Sequence, residues 1–167
     1  ETWAGLGFSI DIPTAGYVCP VTFMGMPLLM ARDQAGRARV FHNVCRHRGM
    51  QLVAEPGEAG LMIRCAYHKW GYDLTGQLKT TPNIGGMGVH QIDHFDCAHH
   101  ALTSVLCEEL MGIVFINLSG EAPTLSEHLA PLLSRWRDLA GIHFDRELTA
   151  DSSAFGAMEI ALRSNYK

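Results

Sequence analysis

From Gly16 to about Leu118, turn residues interrupt short apolar runs at intervals of about ten residues, and that punctuation confines this stretch to an antiparallel β fold. A long helix has no room there, because its apolar stripe needs an uninterrupted helical period. Val18 to Phe23, Leu28 to Arg32, Arg37 to Val44, Leu61 to Arg64, Trp70 to Leu74, Leu102 to Cys107 and Ile113 to Leu118 read as strands, rich in β-branched and aromatic residues. Met24-Gly25-Met26-Pro27, Asp33-Gln34-Ala35-Gly36, Glu55-Pro56-Gly57-Glu58 and Asp73-Leu74-Thr75-Gly76 supply the turn chemistry between them.

Past Leu118 the pattern becomes helical. Thr124 and Glu127 form a capping-box signature, followed by Leu125, Leu129, Leu132, Leu133 and Trp136 at helical spacing. Pro131 is expected to kink or split this helix. Two further strands are expected at Phe144 to Thr149 and Phe155 to Arg163. The expected organisation is therefore a β domain over residues 1–122 and the opening of a second domain over 123–167. A chain that starts at Glu1 and stops just after a new unit begins reads as a fragment.

Composition narrows the function. At 167 residues, 47% hydrophobic and 18% charged, the chain can bury one core. A net charge of −4 offers no basic surface for nucleic acid. No apolar run reaches the roughly 20 residues of a membrane span, and no secretory leader pattern opens the chain, so a cytoplasmic location without membrane attachment is expected. Five cysteines, irregularly spaced, do not suit a secreted disulfide framework and leave burial or metal binding.

The strongest chemical signal is a pair of mixed motifs. Cys45-Arg46-His47 and Cys65-Ala66-Tyr67-His68 are separated by 17 residues, and each follows a strand and precedes a glycine. Two loops at one tip of a small β fold can bring Cys45, His47, Cys65 and His68 to a common point, with Gly49 and Gly71 allowing the backbone to turn closely. Two thiolates and two neutral imidazoles suit a binuclear 2Fe-2S cluster, one iron taking both sulfurs and the other both nitrogens. Tetrahedral zinc accepts the same atoms and is the competing reading, although zinc knuckles usually pair like with like. Simple burial would explain any one of these residues but not the joint spacing.

These residues resemble a known family. Asn43-Val44-Cys45-Arg46-His47-Arg48-Gly49 and the stretch Cys65-Ala66-Tyr67-His68-Lys69-Trp70-Gly71-Tyr72-Asp73-Leu74-Thr75-Gly76 are similar to the two Rieske loops of ring-hydroxylating oxygenase α subunits. Ala66 and Lys69 depart from the family's usual Pro and Gly. Trp3, Gly5 and Asp11-Ile12-Pro13 look like the start of that domain, Gly112 to Leu118 like its closing strand, and Asn165-Tyr166-Lys167 like the triplet that opens the catalytic domain. Rieske proteins of respiratory complexes fit less well, because their extra loop cysteines fall at Met50 and Tyr67 and their serine at Trp70.

The resemblance implies a mainly β, Rieske-type antiparallel sandwich or barrel with two cluster-binding loops, followed by a short α+β tail. It implies Cys45, His47, Cys65 and His68 as ligands of a Rieske 2Fe-2S cluster and no catalytic residue in this chain. It also implies a parent oxidoreductase whose mononuclear non-haem iron sits in a catalytic domain downstream. A ferredoxin or reductase would supply electrons, a small organic substrate, aromatic ones included, would be hydroxylated, and the full-length protein would be a homotrimer. A stand-alone Rieske ferredoxin and a zinc-stabilised interaction module are the alternatives.

Other residues carry weaker signals. The stretch Asp93-His94-Phe95-Asp96-Cys97-Ala98-His99-His100 superficially suggests a facial triad for iron, but turn-rich His/Asp segments are more often solvated loops. Cys19, Cys97 and Cys107 are expected to be buried, and His42, His90, His128 and His143 have no partner spacing. Trp70 and Tyr72 flank the second loop as aromatic cover or core, and Lys69 is an exposed charge beside His68.

Overall fold

The computed structural model describes residues 2–140, with side chains through residue 135. Its elements are β1 (Ala4–Phe8), β2 (Tyr17–Phe23), β3 (Met26–Arg32), β4 (Ala38–His42), β5 (Gly57–Glu58), β6 (Met62–Arg64), β7 (Gly71–Asp73), β8 (Leu78–Thr80), β9 (Ser104–Leu110), β10 (Ile113–Asn117) and the helix α1 (Leu125–Ala140). The chain divides into two compact units, Glu1–Ala122 and Pro123–Lys167.

In the first unit, a seven-stranded sheet runs in the order β1-β10-β9-β4-β3-β2-β5 and a three-stranded sheet in the order β6-β7-β8, all pairs antiparallel. Successive residues of a strand face opposite sides. At the centre of the large sheet both sides are covered: Leu28, Met30 and Val40 enter one apolar cluster, and Leu29, Ala31 and Phe41 enter the other. That double burial explains why β3 reads as an unbroken apolar run rather than an alternating one. The second cluster also takes Ile63, Tyr72 and Leu78 from the small sheet and Trp70 and Leu74 on either side of β7, together with Cys45 and Cys65. Both cysteines are thus placed where the two sheets meet.

All seven expected strands form, with trimmed ends: residues 37, 43 and 44 fall outside β4, and β9 starts at Ser104 rather than Leu102 and runs on to Leu110. Three strands were not anticipated. β1 contains Gly5 and Gly7, poor strand formers, yet it pairs with β10, and a Cβ on Gly7 would lie 2.7 Å from Met30 Cε. Gly57 and Glu58, which read as a turn, pair with Val18 and Tyr17 as the short edge strand β5. β8 follows the Asp73 turn, where the Asp73 carboxylate accepts the N–H groups of Thr75 (2.9 Å) and Gln77 (3.0 Å).

In the second unit, the capping box forms as the sequence indicates: Thr124 N–H donates to Glu127 Oε2 (3.0 Å) and Glu127 N–H to Thr124 Oγ1 (3.3 Å). α1 runs through Pro131 rather than splitting there. A proline forfeits its own bond to the carbonyl four residues back and its ring crowds that carbonyl, yet the helix continues on both sides of it. The strands expected at 144–149 and 155–163 and the Asn165-Tyr166-Lys167 triplet lie outside the described residues. No helix among the described residues is long and apolar enough to cross a membrane.

Candidate metal centre

The two motif loops share one hydrogen-bond pattern. In the first, Cys45 N–H donates to the Met50 carbonyl (2.8 Å) and Gly49 N–H to the Cys45 carbonyl (3.0 Å). In the second, Cys65 N–H donates to the Trp70 carbonyl (2.9 Å) and Lys69 N–H to the Cys65 carbonyl (3.0 Å). Each loop is a tight reversal whose cysteine is buried and whose histidine is half-buried. The first is held to the sheet by Asn43, 1% exposed, whose amide donates to the Val53 carbonyl (2.7 Å) and accepts the N–H groups of Leu52 (3.2 Å) and Val53 (3.0 Å).

The glycine expectation needs correction. Gly49 does adopt the left-handed backbone, at φ 72°, but in the second loop that place belongs to Lys69 at φ 60°. Gly71 instead sits in β7, where a Cβ would lie 2.5 Å from Thr80 Oγ1 and 2.6 Å from Met62 Cε. It is required for strand-to-strand closeness rather than for a turn.

The motif side chains draw together in two pairs, by type. Cys45 and Cys65 are 2% and 1% exposed, and their thiols interact directly with each other. The imidazoles of His47 and His68 meet edge to face with centroids 4.6 Å apart. The arrangement is therefore sulfur with sulfur and nitrogen with nitrogen. Among the described residues, no three His, Cys, Asp or Glu side chains close around one ion-sized point.

One atom speaks directly to what this site accommodates. His47 Nδ1 is buried and has no hydrogen-bond partner. Leaving such a nitrogen unpaired costs roughly 1–3 kcal/mol. A lone pair directed at a bound metal would account for it. Burial, the neighbouring His68 and the Arg48 guanidinium lower the His47 pKa, so the ring is held in the neutral form that coordinates metals. Burial raises the Cys45 thiol; the Tyr72 hydroxyl and the His47 N–H oppose that rise, and Cys65 adds to it. The Cys45 thiol therefore suits a metal that displaces its proton and takes it as a thiolate.

Tyr72 is a functional neighbour that the sequence reading left as cover or core. Its hydroxyl, fully buried, accepts the Arg46 N–H (3.1 Å) and lies 3.3 Å from Cys45 Sγ. Since it already accepts from Arg46, its own proton is free to donate to the sulfur. Burial, reinforced by the bond to Cys45, pushes the phenol pKa well up, so that proton stays in place. Trp70 stacks on His47, with centroids 4.5 Å apart and planes 11° from parallel. Outside the imidazoles a cavity of about 420 Å³ opens, lined in part by Arg48, Tyr67, Lys69 and Trp70.

The His/Asp segment forms no facial triad. His99 pairs with Asp96 at 3.4 Å on the surface, and His94 is an exposed turn residue at φ 66°. Cys19, Cys97 and Cys107 are half-buried rather than fully buried, because each sits toward the margin of its apolar cluster.

A donor set of two paired thiols and two paired imidazoles, on twin loops between two antiparallel sheets, defines an iron-sulfur protein of the Rieske type. The chain belongs to the Rieske [2Fe-2S] domain family, whose model matches residues 2–95. Its relatives are oxygenase subunits. The glycine betaine monooxygenase oxygenase subunit of Chromohalobacter salexigens is 31% identical over 130 residues, 78% of this chain and 28% of that protein. The 2-aminobenzenesulfonate 2,3-dioxygenase α subunit of an Alcaligenes species is 29% identical over 168 residues, 100% of this chain and 40% of that one. A solved quaternary ammonium Rieske monooxygenase, described as revealing inter-subunit electron transfer, superposes with a TM-score of 0.72 at 26% identity, covering 84% of this chain and 37% of its own. This chain thus spans well under half the length of these relatives.

Proposed function

We propose that Cys45, His47, Cys65 and His68 hold a Rieske 2Fe-2S cluster through which this chain passes single electrons, as the N-terminal part of an oxygenase α subunit. The observation that carries this is the buried, unpartnered Nδ1 of His47, on a ring that packs against His68, with the Cys45 and Cys65 thiols also paired. When bound, such a cluster supplies reversible one-electron transfer at a potential raised by its two neutral ligands. The protein's part is to hold the His47 imidazole neutral, keep water from the sulfurs with Trp70 and Tyr72, and leave the imidazole edges open to the cavity.

Residues 1–122 would be the Rieske domain and 123–167 the start of a catalytic domain bearing a mononuclear iron. Alignment with the dioxygenase relative across the whole chain favours this over a stand-alone ferredoxin. Pairing of like donors favours a binuclear cluster over zinc. The parent protein would take electrons from a ferredoxin or reductase in the cytoplasm, act on a small organic substrate and assemble as a homotrimer. The relatives' names include both monooxygenases and a dioxygenase, so either outcome is compatible with this domain.

Metal and acid-labile sulfide analysis tests the reading. The purified protein should be red-brown, with about two irons and two sulfides per chain. One zinc and no sulfide would sink it.

A further inference from the structure

Trp70, 3% exposed, lies between the proposed ligand His47 and a segment with no role in the site so far. Its indole stacks on His47, and Phe95 and His100 meet it edge-on, with centroids 5.7 and 5.8 Å away at interplanar angles of 75° and 78°. Phe95 and His100 in turn stack on each other at 4.5 Å. Three rings therefore form a closed group with the ligand's imidazole on its inner side. The group is anchored from outside. Asp96 caps the short 3-10 turn Cys97–His100 by accepting the Ala98 N–H (2.8 Å), and the Asp96 carbonyl lies 3.0 Å from His100 Nδ1. A carbonyl only accepts, so Nδ1 donates and the ring's plane is fixed.

His47 needs such support. Its Nδ1 has no hydrogen bond to set the orientation of the ring. Besides His47, the other ring against His68 is Tyr67, with centroids 3.7 Å apart, and it is 58% exposed. A buried, clamped neighbour is thus given to one histidine and a solvent-facing one to the other.

We propose that Phe95 and His100 are positioning residues for the metal centre, holding Trp70 against His47 so that the imidazole keeps its Nδ1 turned toward the cluster. This rests on the ligand assignment made above. The segment 93–100 then serves the cluster through Trp70 and holds no metal itself.

The test compares Phe95→Ala, His100→Ala and the double variant with His100→Phe, which keeps a ring at that place, and with His99→Ala on the exposed side. Each protein is checked for iron and sulfide. Two properties are then read: the electron paramagnetic resonance spectrum of the dithionite-reduced protein and the rate of bleaching by a ferrous chelator. Phe95→Ala and His100→Ala should shift the g-values and bleach about fivefold faster, the factor to which roughly 1 kcal/mol of lost ring contact corresponds. His100→Phe should return both properties toward wild type, and His99→Ala should change neither. A double variant with wild-type spectrum and lifetime overturns the clamp while leaving the ligand assignment standing. Wild-type protein devoid of iron and sulfide overturns both. Should the alanine variants prove too unstable to purify, Phe95→Leu against His100→Phe makes the same comparison, and identical spectra there refute the proposal.

Discussion

Gly49 and Lys69 occupy the same place in twin loops: each lies four residues after a cysteine whose carbonyl accepts its N–H at 3.0 Å, and each has a left-handed backbone, at φ 72° and 60°. Glycine enters that region freely, whereas a side chain with a Cβ loses about 1 kcal/mol there. Lys69 stays exposed beside His68, so its conformation is strained without compensating burial.

Replacing Lys69 by glycine should therefore stabilise the fold. The relief of about 1 kcal/mol is partly offset by the greater freedom of glycine in the unfolded chain, leaving a net gain of roughly 0.5 kcal/mol. Lys69→Val should lose stability, since a β-branched residue suits φ > 0 least. Urea unfolding of the iron-loaded proteins decides it, and a Lys69→Gly midpoint below wild type would show that the lysine side chain contributes more than its backbone costs.

Tyr72→Phe should lower the reduction potential. The hydroxyl 3.3 Å from Cys45 Sγ stabilises the more negative, reduced state, and without it reduction becomes harder. The expected shift is about 40 mV downward, the one-electron equivalent of a hydrogen bond contributing ~1 kcal/mol. Arg46 N–H loses its acceptor in the same variant, so iron content must be verified alongside. Protein-film voltammetry showing an unchanged or raised potential would remove Tyr72 from the redox account.

The cysteine and histidine pairs were legible in the sequence because ligand spacing within a loop is local: three or four residues fix which side chains share one reversal. Asn43 and Tyr72 were present in the same motifs, yet their roles were not legible. Tyr72 reaches a sulfur 27 positions earlier, and Asn43 staples backbone ten residues ahead, so only sheet pairing reveals either partner. The strands read best where β-branched residues dominate, as in β2 and β10. They failed at β1 and β5, where glycine depresses propensity and pairing with an established neighbour overrides it. The His/Asp segment suggests a metal site because the sequence shows the chemistry of its side chains but not their direction, and the structure turns His100 onto Trp70.

Asp33 should govern part of the acid stability. It is 1% exposed and accepts the N–H groups of Ala35 and Arg37 and the Arg39 Nε–H, each at 2.9 Å. Burial alone would raise its pKa, but those bonds and the Arg39 charge together hold it below the ordinary carboxylate range. A folded pKa below the unfolded value of about 3.9 makes its contribution fully present above that pH and lost as pH falls through the folded value. Asp33→Asn should thus cost about 1 kcal/mol at neutral pH, and the gap to wild type should close on acidification below about pH 4. Urea titrations at several pH values test this. A gap that stays constant into acid would mean the carboxylate charge is not what Asp33 contributes.

Cys45→Ser and His68→Ala should each lose the cluster or retain only a labile remnant, whereas Cys97→Ala and Cys107→Ala should keep the visible spectrum. The difference follows from place rather than residue type. Cys45 and His68 are on the twin loops, with the Cys45 sulfur beside Cys65 and the His68 ring against His47, so removing either leaves one metal short of a protein donor. Cys107 lies in β9, where its thiol donates to the Ala38 carbonyl at 3.5 Å, and Cys97 opens the short turn that carries His100. Iron content, sulfide content and the absorbance spectrum are measured on proteins purified without oxygen, so that slow oxidation is not mistaken for a missing ligand. Full iron content with an unaltered spectrum in Cys45→Ser would remove that sulfur from the donor set. Loss of the cluster in Cys107→Ala, with the fold intact by circular dichroism, would place a donor in β9 instead.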